Sequence, residues 1–567
     1  MLLQDTGSPA YPDWLALAIV FTLLLPLLSS RTVRYQPIWY ISLIAAIDAL
    51  FSLPNTKLKI FVILFLFRYV RLIVNLTAFC LYKPVAIPTH PSLTAKDVTV
   101  IVPTVAPYGK DFEECIQSIQ ANGPAKIVIV TAGPGNYERA IQSVDMSSNI
   151  LIKHCHVQNK RAQVCEALED EVREERENNG VYYTGIVYHT KIVYHTGVVY
   201  CTGVVYHTKI VYHTGVVHTT ITVLCDDHVF WPRNFLPSIL APFEDPNVGC
   251  VGTSKRVRRT VSNFSLAGFW NFLGCLYLER HNFEIAATNA IDGGVFVISG
   301  RTSAHRTEIL QPQLFRNGFL NDYILFGLIG PLNADDDNFI TRWMVEHGWK
   351  LKIQYSEDAC IETTLGEYPK FLSQCMRWAR TTWRSNPLSL LSRRTWTTQP
   401  WSIYAVYLTS FINFALFYDV ALLTTLRIYL TDPASSHPVT PSTGLLTLCL
   451  WILCSKLVKP WPHFRRHPRD LAYLPGYILF GYFHSLLKLW ALLTFWNVAW
   501  GSRPLGEGEG GVSGGVNGGM GGDVISGDDG EEGVSEGVNG GTGGDAARMI
   551  GQVEGGAGVG REELEGK

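Results

Sequence analysis

The distribution of apolar residues constrains the fold of this chain more than any other feature. Apolar runs near the length of a membrane-crossing helix lie at both ends of the sequence, at residues 14–29, 37–53, 60–82, 401–430, 444–458 and 471–500. A helix needs about 20 such residues to cross a bilayer. Residues 95–400 mix polar and apolar positions in the manner of a soluble domain. The pattern predicts a soluble α/β domain inserted between transmembrane helices.

Basic residues next to the apolar runs predict the orientation. Arg31 and Arg34 separate the first two runs, and the positive-inside rule assigns that loop to the cytosol. The third run then delivers the soluble domain to the cytosol, and 471–500 is expected to be one long span or a hairpin. Arg68 and Arg71 share one helix face within the third run. They are expected to face a bundle interior or a polar path, or otherwise to extend to the interface.

Composition narrows the function further. The formal net charge is −2, so bulk charge suggests no nucleic-acid partner. The 12 cysteines contain no C-x-x-C pair, and we expect them to be mostly reduced. The resulting organisation is a membrane region at 1–94, a soluble domain at 95–400, membrane or interfacial helices at 401–504, and a Gly/Glu-rich tail at 505–567 expected to be disordered.

The soluble domain begins with a β-α-β pattern. Apolar stretches at 97–103 and 126–131 predict two strands, and residues 111–120 between them predict a helix. A third strand is expected at 154–158, followed by a helix over 161–177. Such a beginning is typical of a parallel sheet with a nucleotide site at its carboxyl edge.

A tandem repeat interrupts this domain. Residues 181–216 contain six hexapeptides such as VYHTGV, and residues 181–198 nearly duplicate 199–216. The even period and the Val, Tyr and Thr content favour strands or hairpins. We attribute the recurring histidines to the repeat itself rather than to a metal site.

Two acidic clusters carry candidate chemistry. Another predicted strand, at 220–225, ends in Asp226, Asp227 and His228, where carboxylates suit Mg²⁺ or Mn²⁺ bridging a diphosphate. The second cluster includes Asp336 and Asp337, one of which could act as a general base, because crowded carboxylates raise one another's pKa. The simpler alternatives are an acidic turn and an N-capping run.

The third candidate element is the Q-x-x-R-W pentapeptide at residues 374–378. Gln374, Arg377 and Trp378 fall on one side of a helix, at i, i+3 and i+4. A guanidinium suits phosphate oxygens, and an indole offers a flat face to a sugar. An amphipathic helix with a core Trp is the alternative. The polar, Trp-rich residues 380–399 that follow predict a helix at the membrane interface.

In this order, the motifs resemble those of the processive, inverting membrane glycosyltransferases: hyaluronan, cellulose and chitin synthases and capsule-type polysaccharide synthases. The resemblance covers roughly residues 95–400 and the flanking spans. It implies a GT-A-type (Rossmann-like) cytosolic domain between transmembrane segments of a multi-pass plasma-membrane protein. The implied reaction elongates, and exports, a glycan from a UDP-sugar with inversion.

The resemblance also implies residue roles. Lys160 and Arg161 match the nucleotide motif, and Ser299, Gly300 and Arg306 match the acceptor-side motif. Asp336 and Asp337 match the acidic block, with Asp337 as the base, and Gln374, Arg377 and Trp378 match the motif for diphosphate and acceptor. Trp500 and Arg503 match a W-G-S-R element that closes over the nucleotide. The implied metal is Mg²⁺ or Mn²⁺, held by Asp226 with Asp227 or His228.

Departures from the family pattern keep alternatives open. His228 stands where the metal motif has its second Asp, and His305 stands for a Tyr. The acid expected to contact uracil is missing after the second strand, with Asp111 or Glu113 as substitutes. The alternatives are a non-processive glycosyltransferase acting on a ceramide-type lipid and a catalytically degenerate membrane protein.

Overall fold

A computed structural model describes residues 55–145, 149–171, 200–201, 204–205, 214–215, 219–261, 264–433 and 439–498. These residues belong to one compact unit, Met1–Glu507. The first two predicted membrane runs, most of the hexapeptide repeat and the Gly/Glu-rich tail lie outside the described residues.

A nine-stranded mixed sheet forms the centre of the soluble domain. In chain order its strands are β1 Val98–Thr104, β2 Lys126–Ala132, β3 Ile150–Cys155, β4 Ile221–Cys225, β5 Val229–Phe230, β6 Val248–Val257, β7 Thr302–Arg306, β8 Lys350–Gln354 and β9 Cys360–Thr363. Their order across the sheet is β3-β2-β1-β4-β7-β6-β9-β5, and β8 also pairs with β6.

The direction of these strands determines where a site can form. Strands β1 to β4 pair in parallel, whereas β7 runs antiparallel to both β4 and β6. The carboxyl ends of β1 and β4 therefore meet at one edge of the sheet, together with the beginning of β7. This is the edge at which open α/β sheets bind ligands.

Helices cover both faces of the sheet. The longer ones in and around the soluble domain are α2 Lys110–Gln120, α3 Asn136–Ser143, α4 Lys160–Leu168, α5 Phe235–Leu240, α6 Leu266–Asp292, α7 Gln313–Leu320, α8 Asp336–Glu346, α9 Lys370–Leu391 and α10 Arg393–Thr398, after α1 Thr56–Leu81. Helical turns also occur at Ala95–Asp97, Ala241–Glu244, Thr307–Leu310, Trp461–Arg466 and Pro468–Tyr473.

The sequence pattern of these elements explains the core. Helix α2 buries Phe112, Cys115, Ile116 and Ile119, at helical spacing, while β1 is buried on both sides. One apolar core therefore lies on each face of the sheet. The described cysteines form no disulfide with one another.

Apolar helices flank this domain in the chain. Helices α1 and α12 Pro441–Val458 are long and apolar enough to cross a membrane. Two further helices are α11 Ala415–Leu430 and α13 Leu474–Leu492. In α1, Arg68 lies 2.7 Å from Asp419 and Arg71 donates to the Ala405 carbonyl. Both arginines therefore face other helices, as predicted, rather than an interface.

The apolar run predicted at residues 401–430 is a bent pair of helical segments rather than one straight helix. A helical segment built from Pro400–Ser402, a π-helical turn Ile403–Leu408 and Thr409–Ile412 bends by 89° before α11. Asn413 and Phe414 lie at the break with non-helical backbone angles. The first amides of a helix have no partner within the helix. In α11, the Leu416 amide instead donates to the Ser485 hydroxyl.

Some predicted boundaries also required correction. Strand β3 begins at Ile150, not at 154, and α4 ends at Leu168, well before 177. The described parts of the hexapeptide repeat form short antiparallel pairs, as predicted. Tyr200–Cys201 pairs with Val204–Val205, and Thr214–Gly215 pairs with Asp170–Glu171 at the base of the insert.

Candidate active site

The carboxyl ends of β1 and β4 bring the first acidic cluster to the edge of the sheet. Asp226 and Asp227 directly follow β4, which pairs in parallel with β1. The Thr104 hydroxyl at the end of β1 donates to Asp227 Oδ2 over 2.6 Å. Asp227 is only 7% exposed. This carboxylate is therefore held in place by the sheet.

His228 is oriented by the same carboxylate. Its Nδ1 lies 2.9 Å from Asp227 Oδ1, and its side chain is 30% exposed. With Nδ1 engaged, Nε2 is the ring nitrogen available to a ligand. A carboxylate that fixes one imidazole nitrogen commonly orients the other toward a metal.

Lys160 joins the two acidic clusters. It is the first residue of α4, where the preceding Asn159 caps the helix. Its Nζ lies 2.7 Å from Asp226 Oδ1 and 3.1 Å from Asp336 Oδ2, and it donates to the Gly300 carbonyl. Burial lowers the pKa of Lys160, but the two carboxylates raise it more, so the ammonium stays charged.

Gly300 allows these groups to approach each other. A Cβ on this residue would lie 3.2 Å from Lys160 Nζ and 3.3 Å from Asp336 Oδ2. Its amide donates to Asp337 Oδ2 over 3.2 Å. The Ser299 hydroxyl accepts from the Arg301 amide and shapes the same turn. A small residue is therefore needed where the two clusters meet.

Asp337 has an unusual protonation equilibrium. Burial and the adjacent Asp336 raise the pKa of its carboxyl to about 6. Its other oxygen accepts from the Asn338 amide over 2.9 Å. A carboxylate with such a pKa is ionised near neutral pH and basic enough to accept a proton from a hydroxyl.

Asp335, in contrast, belongs to the framework. It is fully buried and forms two charge-assisted contacts with Arg384, of 2.7 and 2.9 Å. The Thr381 hydroxyl also donates to it. Arg384 in turn donates to the carbonyls of Phe495 and Asn497. This pair ties the start of α8 to α9 and to the chain after α13.

The Q-x-x-R-W residues lie in the same cavity. Gln374, Arg377 and Trp378 on α9 line a space of about 640 Å³ together with Asp226, His228 and Asp337. Within the described structure, Gln374 Oε1 and Arg377 Nε are buried without a hydrogen-bond partner. Buried polar atoms normally have partners, so this wall is built for a polar ligand.

The Trp378 indole is already part of an aromatic stack. Its ring stacks on Tyr277 at 4.8 Å, and the Arg301 guanidinium lies 5.6 Å from its centroid. The amphipathic-helix alternative is also partly realised, since Cys375 and Ala379 on α9 are core residues. A sugar in the cavity would therefore meet a Tyr277–Trp378 pair rather than an isolated ring.

Two predicted binding residues lie elsewhere and are corrected. Arg161 donates to the Phe319 carbonyl and pairs with Asp322, because consecutive helix residues point in different directions. Arg306 donates to the carbonyls of Val248 and Phe243. Neither lines the cavity, so both are reassigned to holding the fold.

The register of β7 explains the error at Arg306. Thr302 pairs with Cys225 at the end of β4, whereas Arg306 pairs with Ile221 at its beginning. The antiparallel strand therefore carries His305 and Arg306 away from the carboxyl edge. His305 is buried, which lowers its pKa to about 3. Arg301, just before the strand, is the basic residue of this motif that lines the cavity.

Sequence motifs did not identify several other cavity residues. Lys255 Nζ lies 2.9 Å from His281 Nδ1, and burial lowers the pKa of both side chains. Arg280, one residue before His281, also lines the cavity. Lys255 lies on β6, and Arg280 and His281 lie on α6. The only sign of them in the sequence is that they are basic residues within long, mostly apolar elements. Of the two substitutes for the missing acid, Asp111 lines the cavity.

A metal ion at this site would need ligands from the substrate and water in addition to protein side chains. No group of three or more His, Cys, Asp or Glu side chains is arranged to hold a metal in the described ranges. A cation that bridges a diphosphate takes most of its ligands from phosphate and water, and one or two from protein. Asp226 and the free His228 Nε2 fit that smaller requirement. Trp500 and Arg503 lie outside the described residues.

Comparisons with known proteins agree with this arrangement. The family described as "Glycosyltransferase like family 2" matches residues 188–381. The chain is 38% identical over 475 residues to a type 2 glycosyltransferase of Pyricularia oryzae, covering 83% of this chain and 87% of that protein. It is 37% identical over 452 residues to a type 2 glycosyltransferase of Gibberella zeae, covering 79% and 76%.

More distant similarities extend the comparison. A hyaluronan synthase of Streptococcus pyogenes is 24% identical over 298 residues, covering 50% of this chain and 62% of that protein. Among solved structures, a mannosyltransferase from Pyrobaculum calidifontis, in complex with GDP-Man and Mn²⁺, aligns with a TM-score of 0.42 at 14% identity. That alignment covers 76% of this chain and 99% of that one.

Proposed function

The chain belongs to the type 2 glycosyltransferases, and we propose that it elongates and exports a polysaccharide from a UDP-sugar with inversion at the transferred carbon. The observation that carries this proposal is the position of Asp337. Its carboxylate lies beside Gly300, in a cavity that also contains Lys160, Asp226 and Arg377. A base and groups suited to a diphosphate thus share one site.

Asp337 is proposed as the general base. It takes a proton from the acceptor hydroxyl as that oxygen attacks the anomeric carbon from the face opposite the nucleotide. The raised pKa matches a base that operates near neutral pH. Asp336 supports this role by raising the pKa of Asp337 and by holding Lys160 in place.

The charged residues around the base are proposed to receive the nucleotide diphosphate. Asp226 and His228 would hold Mg²⁺ or Mn²⁺, whose chemistry is to neutralise charge on the departing UDP. Arg377 has donors for phosphate oxygens, and the cationic Lys160 lies between the acidic clusters. Asp111 is proposed to contact the base of the nucleotide. Ser299 and Gly300 form the turn that the acceptor meets.

The apolar helices are proposed to anchor the enzyme in the plasma membrane as a multi-pass protein with a cytosolic catalytic domain. Two helices and one bent pair have the length and composition for it. Arg68 and Arg71 face the interior of this bundle, where they would line a path for the polymer. Trp500 and Arg503 are proposed to close over the nucleotide from the segment that follows α13.

A second candidate function is transfer to a lipid acceptor. A groove of about 750 Å³ adjoins the catalytic cavity, and the two share Arg377. Apolar side chains dominate the groove, including Leu372, Met376, Phe483, Leu486, Leu487 and Trp490. A hydrocarbon chain fits this lining, and its polar head would lie near Arg377.

Product sizing after incubation with different donors tests both functions. Purified enzyme in lipid nanodiscs would be incubated with individual UDP-sugars and GDP-mannose, with and without Mn²⁺ or Mg²⁺. Metal-dependent UDP release with long products supports polymer synthesis, and one-sugar lipid products support the second candidate. A lack of turnover above the D337N variant for every donor would indicate a degenerate enzyme.

A further inference from the structure

A second cavity lies among the apolar helices. Its volume is about 180 Å³, compared with about 640 Å³ for the catalytic cavity. The two share four lining residues: Tyr277, Arg280, Lys459 and His484. The two cavities therefore have one wall in common.

Positive charge dominates this second cavity. Six cationic side chains line it: Arg68, Arg71, Arg280, Lys456, Lys459 and Lys488. Two carboxylates pair with them in the described part of the chain. Asp419 lies 2.7 Å from Arg68 and 2.8 Å from Lys456, and Glu284 pairs with Lys459.

These cations differ in how they are compensated. Arg280 forms no direct ion pair among the described residues, but the Glu284 carboxylate and the Tyr477 hydroxyl both interact with it. Lys488 has no ion pair with a described residue, and no described carboxylate acts on it. Lys488 instead donates to the Ser410 carbonyl and lies 4.7 Å from the Phe414 ring centroid. Unpaired charge among apolar helices is costly, and a bound anion would offset that cost.

The break between the two bent helical segments points to the same cavity. Asn413, Phe414 and Ala415 at this break all line it. Ala415 begins the 16-residue helix α11, so the positive end of that helix dipole faces the cavity. Broken apolar helices commonly direct such ends at anionic groups.

Unpartnered polar atoms provide a further observation. Asn413 Oδ1 and His484 Nε2 are buried without a hydrogen-bond partner among the described residues. Both residues line the second cavity. A polar ligand with hydroxyls as well as a charge would provide the missing partners.

We propose that the second cavity is a binding site for an anionic group, a carboxylate or phosphate, carried by the acceptor glycan. This rests on the proposed function and identifies its product as an acidic polysaccharide. The shared wall with the catalytic cavity favours a group attached to the acceptor. The small volume and polar lining favour a sugar residue over a lipid tail.

The test compares two oligosaccharides of equal length. One contains uronic acids, and the other is its carboxyl-reduced counterpart. We expect the full-length enzyme in zwitterionic nanodiscs to bind the acidic form about tenfold more tightly, as for hydrogen bonds to charged groups. K488Q should remove this preference, K488R should restore it, and affinity for UDP should not change. K350Q, which alters a surface pair with Asp245, is the matched control.

The possible outcomes separate the sources of the anion. Competition by inorganic phosphate for the acidic oligosaccharide supports a shared anion site. Equal binding of the two oligosaccharides by the wild-type enzyme overturns the proposal, as does a preference retained in K488Q. Binding of phosphatidic acid nanodiscs without binding of the oligosaccharide overturns the assignment to a glycan. Charge-selective binding without turnover of any donor would reject the proposed function and leave this site in place.

Discussion

The two adjoining cavities differ in how their charges are balanced. In the catalytic cavity, acidic and basic groups alternate, and Lys160 contacts both Asp226 and Asp336. In the second cavity, cations outnumber the described carboxylates that pair with them, and Lys488 has no ion pair with a described residue. Balanced charges can exchange partners when a diphosphate arrives and leaves. Unbalanced charges favour a bound anion, so the first cavity suits a diphosphate and the second suits an anionic group of the acceptor.

The largest expected effect comes from removing the base. D337N keeps the size of the side chain but cannot accept the proton, and general-base catalysis contributes roughly 10²–10⁴-fold. We expect kcat for UDP release to fall by that factor while UDP affinity stays near wild type. D245N, at a surface ion pair, is the control. Activity within threefold of wild type in D337N would remove Asp337 from the mechanism.

The second prediction concerns the framework behind the base. R384M leaves Asp335 buried without its cation, and breaking such a pair costs about 3–5 kcal/mol. The exposed Lys350–Asp245 pair should cost at most about 1 kcal/mol when broken by K350M. Thermal unfolding in detergent compares the two variants. Equal shifts in Tm would mean that the buried pair does not support α8.

The third prediction uses the pKa of Asp337. Since the base must be ionised, kcat/KM should fall about tenfold per pH unit below about 6. Asp336 contributes to the raised pKa, so D336N should move this acid limb to lower pH. A pH–rate profile, with Tm measured at each pH, checks the shift. An unmoved limb in D336N would assign the titration to another group.

The smallest effects compare glycines in the two cavities. In G300A, the new Cβ approaches Lys160 Nζ and Asp336 Oδ2 closely, and we expect a several-fold loss of kcat as these groups shift. In G481A, the Cβ meets no atom within 4 Å in α13. There we expect unchanged turnover and a gain of about 0.5–1 kcal/mol in stability. Equal losses in both variants would contradict the close contact at Gly300.

The sequence predicted site residues best where they directly follow a strand or begin a helix. Asp226 and Asp337 could be predicted because strand ends and helix starts meet at one sheet edge. Arg306 could not, because the direction of β7 decides which end of its motif lies at that edge. Lys255 and His281 come together only through packing of α6 on β6.

The apolar helices show the same limit. Length and hydropathy located α1 and α12, but residues 401–430 carry no glycine or proline at the point where the helix breaks. At the break, Asn413 and Phe414 leave the helical conformation, and the Ser485 hydroxyl of α13 accepts from the Leu416 amide. Such a tertiary contact has no local signature.

The strand pairing at the base of the repeat insert determines what a change in the number of hexapeptide copies does to the fold. Asp170–Glu171 and Thr214–Gly215 lie side by side, between α4 and β4. Copies gained or lost between them therefore lengthen or shorten a closed loop, and a doubling of loop length costs only about 0.6 kcal/mol. Neither Lys160 nor Asp226 would have to move.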